Sequence, residues 1–148
     1  MTGIAIRYDL SGLEAAGRRL EAILERAGDL DAVLDEIGGA LVQSVQERFE
    51  SGTGPDGERW KPSIRALAES GQTLVDSGRL RDSITHAVEP GRVVIGSNLV
   101  YAAIHQLGGE AGRNHAVTLP ARPYLGISAG DEIEIGAILD DHLAGAVQ

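Results

Sequence analysis

His105, Ser77 and Ser83 have the side-chain types of a general base and its nucleophile, and an Asp or Glu from elsewhere in the chain would complete a hydrolytic triad. Such residues are scattered through most proteins of this size, and no spacing joins them here. His105 therefore reads as a polar-tipped packing residue rather than a catalyst. The four histidines, His86, His105, His115 and His142, contain no pair at the helical spacing of a zinc site, and there is no His-Glu-x-x-His. The absence of cysteine removes thiolate catalysis, Cys-ligated metal and disulfides. Glu132 with Glu134, and Asp140 with Asp141, read as the solvated side of a final helix rather than an acid–base pair.

Gly52, Gly54 and Gly57 match a dinucleotide-binding fingerprint by spacing alone. That fingerprint follows a strand and opens a helix, whereas this one follows a helix and leads into Trp60-Lys61-Pro62, so a loop is the expected outcome. Asp56-Gly57 is the turn signal inside it, and Trp60, the sole tryptophan, is expected to pin the loop to the core. Arg122 stands between Ala121 and Pro123, where the following proline imposes an extended backbone. A long guanidinium held that way suits a bidentate ion pair at an interface, and a plain surface arginine is the other reading.

The elements that must carry these residues follow from periodicity. Ile4–Tyr8 alternates as a short strand. Asp9 or Ser11 is expected to cap a first helix reaching Ala27, with Leu13, Ala16, Leu20, Leu24 and Ala27 as its apolar stripe. Gly28-Asp29 breaks it. Asp29 then caps a second helix to about Phe49, with Val33, Ile37, Leu41, Val45 and Phe49 along one side. The two helices form either an antiparallel pair or one helix packed across a sheet. Short helices are expected at Ser63–Glu69 and, behind Asp76-Ser77, at Gly78–Ser83 with Leu80 and Ile84 inward. Ile84–Val88 and Arg92–Gly96 flank Pro90-Gly91 as a hairpin.

Tyr101–Leu107 reads as a helix with Tyr101 and Ile104 on one side, stopped by Gly108-Gly109. Residues Glu110–Ala116 read as a polar loop before a strand at Val117–Leu119. After the extended Pro120–Leu125, Ser128 and Asp131 form a capping-box-like start for a last helix to about Ala146. Its apolar stripe is Ile135, Ile138, Leu139, Leu143 and Ala146. The fold class is therefore α+β: a small antiparallel or mixed sheet with flanking helices, including an N-terminal helical pair and a C-terminal helix.

At 148 residues the chain suits a single domain, helical over residues 1–50, with residues 51–148 forming the rest. Lys and Arg total 13 against 22 Asp and Glu, for a net charge of −9, which disfavours sequence-specific nucleic-acid binding but suits a passage through which DNA slides. No apolar run is long enough for a membrane span and no signal-peptide layout opens the chain, so a soluble, unexported protein is expected.

Five segments taken together resemble the virion morphogenesis family of tailed bacteriophages, which includes the Mu-like morphogenesis proteins and the tail completion proteins of P2-like phages. They are Pro55-Asp56-Gly57-x-x-Trp60, Leu74-x-x-Ser77-Gly78-x-Leu80-x-x-Ser83-Ile84, Val94-x-Gly96-Ser97, Tyr101-Ala102-x-Ile104-His105-Gln106-x-Gly108 and Ala121-Arg122-Pro123-Tyr124-Leu125-Gly126. The resemblance covers the chain from about Phe49 onward. It implies a structural protein at the head–tail junction of a virion, a tail completion, tail terminator or neck component acting as a homo-oligomeric ring. Its partners would be itself and the tail-tube, connector or neck proteins, with DNA passing through the ring, no membrane, no catalysis and no cofactor. Assembly would take place in the host cytoplasm. The residues it marks for assembly are Asp56, Gly57, Trp60, Ser77, Gly78, Leu80, Tyr101, His105, Gly108, Arg122, Pro123 and Tyr124. The competing classes are a monomeric binding module and a small hydrolase centred on His105.

Overall fold

The computed structural model describes residues 3–8, 14–27 and 30–146. The caps expected at Asp9, Ser11 and Asp29, the Gly28-Asp29 break and Leu13 lie outside these residues. Pro90-Gly91 makes a two-residue turn, with Gly91 at a φ of 70°, and joins β2 (Thr85–Glu89) to β3 (Arg92–Ser97). β3 pairs on its other side with β1 (Ile4–Tyr8), giving an antiparallel sheet in the order β1-β3-β2. With a neighbour on each edge, β3 is buried from Val93 to Ser97.

Helix α2 (Asp31–Ser51) packs across β2 and β3, and buries Val33, Ile37, Leu41, Val45 and Phe49 as the fourfold spacing requires. Gly38 lets it come that close: a Cβ there would lie 2.3 Å from the ring of His86 on β2. Of the two arrangements open for the N-terminal helices, α2 thus takes the helix-across-sheet one. α1 (Glu14–Ala27) packs on α6 (Ala129–Ala146), which also packs on α2. Of the α1 side chains described, Leu20 and Ile23 are buried and Leu24 is 46% exposed, so the expected stripe is corrected at Leu24, while the side chains of Ala16 and Ala27 lie outside those described. Ile135, Ile138 and Leu139 of α6 join the core as expected, with Leu143 partly buried against it.

Ser63 caps α3 (Ile64–Glu69) by accepting from the Ala66 amide at 3.1 Å. Gly78, at a φ of 81°, takes the cap position of α4 (Arg79–Asp82), and Ser77 Oγ accepts from the Arg79 amide at 3.3 Å. In α5 (Ala102–Leu107) the fully buried side chain is Ala102, while Tyr101 and Leu107 are exposed. Residues 110–116 are not a plain loop. β4 (Gly109–Ala111) pairs antiparallel with β5 (Val117–Leu119) around a 3-10 turn at Arg113–His115. Three-residue strands leave too little alternation to read from sequence. Among the described residues no helix is long and apolar enough to cross a membrane.

Candidate functional site

Between β5 and α6 the chain runs extended and pairs with no strand. Its backbone groups must find partners elsewhere, and side chains supply them. Gln106 Oε1 accepts from the Tyr124 and Leu125 amides at 3.0 and 2.9 Å, and its Nε2 donates to the Leu125 carbonyl at 3.1 Å. Arg48 Nη1 donates to the carbonyls of Tyr124 and Gly126 at 2.7 and 3.0 Å. Trp60 Nε1 donates to the Pro123 carbonyl at 2.8 Å, and the Arg122 amide donates to the His105 carbonyl at 2.8 Å. The segment is a strap clamped from α2, the 52–60 loop and α5.

Tyr124 is the strap's anchor. It is fully buried, its hydroxyl donates to the Ala102 carbonyl at 2.6 Å, and its ring lies 5.2 Å from that of Phe49. Phe49 meets Trp60 edge-on at 5.6 Å, so the three rings form one aromatic cluster beneath the strap. Burial pushes the Tyr124 phenol well above its ordinary value. Gly108, at a φ of 73°, lets the strap pass the end of α5, since a Cβ there would lie 2.8 Å from the Ala121 amide nitrogen. Asp56 and Gly57 shape the loop that delivers Trp60. Asp56 Oδ1 accepts from the Glu58 amide at 3.0 Å, and the Gly57 amide donates to the Gly54 carbonyl at 3.0 Å.

Beside the strap opens a cleft of about 310 Å³, whose lining includes Ser77, Gly78, Leu80, Tyr101, His105 and Arg122. The fold therefore brings the marked residues into two adjoining groups. Asp56, Gly57, Trp60, Pro123 and Tyr124 hold the strap, and the other six border the cleft, with Gly108 between. Leu80 belongs to the hydrophobic core as well. Leu74 on the cleft wall has a φ of 65°, which bulky side chains rarely adopt.

A hydrolytic triad is not assembled among the described residues. Ser83 Oγ donates to the Leu80 carbonyl at 2.6 Å and shares a hydrogen bond with Ser97, away from His105. Ser77 Oγ is turned to the Arg79 amide. His105 Nδ1 is buried and has no hydrogen-bond partner, and its ring stands edge-on to Tyr101 at 6.1 Å. Burial, and then the neighbouring Arg122 charge, lower the His105 pKa and favour its neutral form. No group of three or more His, Asp or Glu among the described residues could hold a metal ion.

Arg122 is only 6% exposed, and its Nε donates to the Lys61 carbonyl at 2.7 Å. It is not a free surface arginine, because it is buried and tied to the residue after Trp60. Sequence reasoning missed Arg48 and Gln106. Arg48 did leave a signal: it lies three residues after Val45 and beside Phe49, on the apolar side of α2. A charge there needs a buried partner, and Asp131 provides it. Gln106 stands within the Tyr101–Gly108 segment that carries the family resemblance, but its part as a clamp shows only once the unpaired strap is known.

The fold and the clamped strap define a small α+β protein whose buried polar side chains serve architecture. The chain belongs to the phage virion morphogenesis family, whose model matches residues 12–144 and so takes in both N-terminal helices as well as the later segments. It is 31% identical to the Mu-like prophage FluMu G protein 2 of Haemophilus influenzae, with 93% of this chain and 95% of the relative covered. It is also 31% identical to the putative capsid assembly protein G of Escherichia phage Mu, with 88% of this chain and 92% of the relative covered. FluMu G protein 1 of Haemophilus influenzae is 26% identical, with 98% of each covered. No solved structure matches the chain significantly. The protein is a phage structural and morphogenesis protein.

Proposed function

We propose that the protein acts at the head–tail junction of a tailed phage or prophage virion, as a tail completion, terminator or neck component, in the form of a homo-oligomeric ring. The supporting observation is family membership combined with a surface that leaves large apolar side chains in water. Ile64 and Leu67 of α3, Val100 before α5, Leu107 at the end of α5, and Val117 of β5 are all exposed by half or more. A ring subunit would cover such side chains with its neighbours. The net charge of −9 suits a lumen that DNA crosses without sticking.

The Mu relative is described as a putative capsid assembly protein, which favours a head-side position as the second reading. Imaging of the neck in virions carrying a tagged chain tests both. Density for the tag at the joint supports the proposal, and density confined to the capsid shell, or absent from the particle, rejects it.

A further inference from the structure

The cleft beside the strap carries more positive charge than its surroundings balance. Arg65, Arg79 and Arg122 line it with His105, and Asp76 is the carboxylate among the lining residues. Arg65 is answered by Glu69 at 3.7 Å and Asp76 at 4.0 Å. Arg79 is exposed and has no ion-pair partner among the described residues. The terminal guanidinium nitrogens of Arg122 likewise have no partner among the described residues, since the hydrogen bond of that side chain to the Lys61 carbonyl is made by Nε. Arg79 and Arg122 thus line the cleft with Asp76 as the one carboxylate, and the Nδ1 of His105 beside them is buried without a hydrogen-bond partner. In a chain with 22 acidic and 13 basic residues, this concentration runs against the overall balance.

We propose that this cleft receives a carboxylate side chain from a second copy of the chain; this rests on the ring reading above and gives it a contact. One carboxylate offers two oxygens to a guanidinium fork, and a cleft of about 310 Å³ admits a side chain. A nucleic-acid phosphate backbone is disfavoured, because it would bring its charge against a protein of net charge −9. The complementary surface is the groove of about 420 Å³ between α2 and the start of α6, where Glu47 and Glu134 are exposed. The two surfaces lie on different elements of one chain, as a head-to-tail contact that closes into a ring requires.

Native mass spectrometry and sedimentation velocity across a concentration series test this on the full chain. Arg79→Glu should raise the concentration needed for assembly about tenfold or more, as should the pair Glu47→Arg with Glu134→Arg. Combining all three changes in one chain should restore assembly. Arg79→Ala, a milder change at an exposed site, guards against an effect of misfolding and should weaken assembly without moving the melting temperature. Wild-type assembly by Arg79→Glu would overturn the cleft contact and leave the ring standing. Loss without recovery in the combined variant would overturn the assigned carboxylates. Arg79-dependent retention of a DNA duplex in place of self-association would overturn the choice of occupant. A wild-type chain that is monomeric throughout would overturn both the ring and the contact.

Discussion

Arg48 on α2 and Asp131 at the start of α6, 83 residues apart in sequence, form a buried ion pair. Asp131 also accepts from the Ser128 amide at 2.9 Å, while the Asp131 amide donates to Ser128 Oγ at 3.0 Å, and Arg48 reaches on to the strap carbonyls. One pair thus ties the central helix, the last helix and the strap together. Burial lowers the Arg48 pKa and Asp131 opposes it, so the carboxylate is what makes a charge at this depth tolerable.

Asp131→Ala should therefore cost about 3–5 kcal/mol, since it strands the guanidinium and removes a helix cap. Asp131→Asn keeps an oxygen for the cap and should lose less. Urea denaturation of the two variants beside wild type measures the difference, and equal midpoints for Asp131→Ala and wild type would reject the role given to the pair.

Gln106 holds the strap through three hydrogen bonds. Gln106→Ala leaves two amides and a carbonyl without partners and should cost about 1–3 kcal/mol. Trp60 is the only tryptophan and donates to Pro123 on the same strap, so its fluorescence reports the loosening directly. Unchanged emission together with unchanged stability would show that the strap does not depend on this residue.

His105 is held neutral in the fold, its pKa depressed by burial and by Arg122. The unfolded chain takes up the proton at about pH 6.5, so the stability it contributes is present above that value and falls as pH drops towards the folded pKa. His105→Gln should flatten this acid limb of the stability profile. An identical limb in the variant would assign the pH dependence to other groups.

Arg122 combines an interface reading with a structural contact, the hydrogen bond from its Nε to the Lys61 carbonyl, so Arg122→Ala tests both. The variant should lose about 1–2 kcal/mol of stability as well as weaken assembly. Thermal unfolding at equal protein concentration checks it, and an unaltered melting temperature would place the Lys61 contact among the dispensable ones.

Periodicity carried the long elements. The fourfold repeat from Val33 to Phe49 located the buried side of α2, Pro90-Gly91 located the hairpin, and Ser128 with Asp131 located the start of α6. Local signals failed where a tertiary neighbour decided the outcome: Ile23 replaced Leu24 because α6 lies beneath α1, and Ala102 turned inward in a helix too short to reveal a side. The strap itself was legible, since prolines force the chain from Pro120 to Pro123 to be extended. What clamps it was not, because Arg48, Trp60 and Gln106 come from three distant stretches. His105 reads from the sequence as a packing residue, and its neighbours in space, Tyr101 and Arg122, do not orient a base towards a serine.

The ring is the central claim, and sedimentation velocity of the wild-type chain, alone and with the tail-tube protein of the same phage, tests it most directly. The expected result is a single closed oligomer that forms alone or on addition of the tube protein and keeps one stoichiometry as concentration rises. A strict monomer at high concentration in both samples, or a series of ever longer open chains, would contradict it.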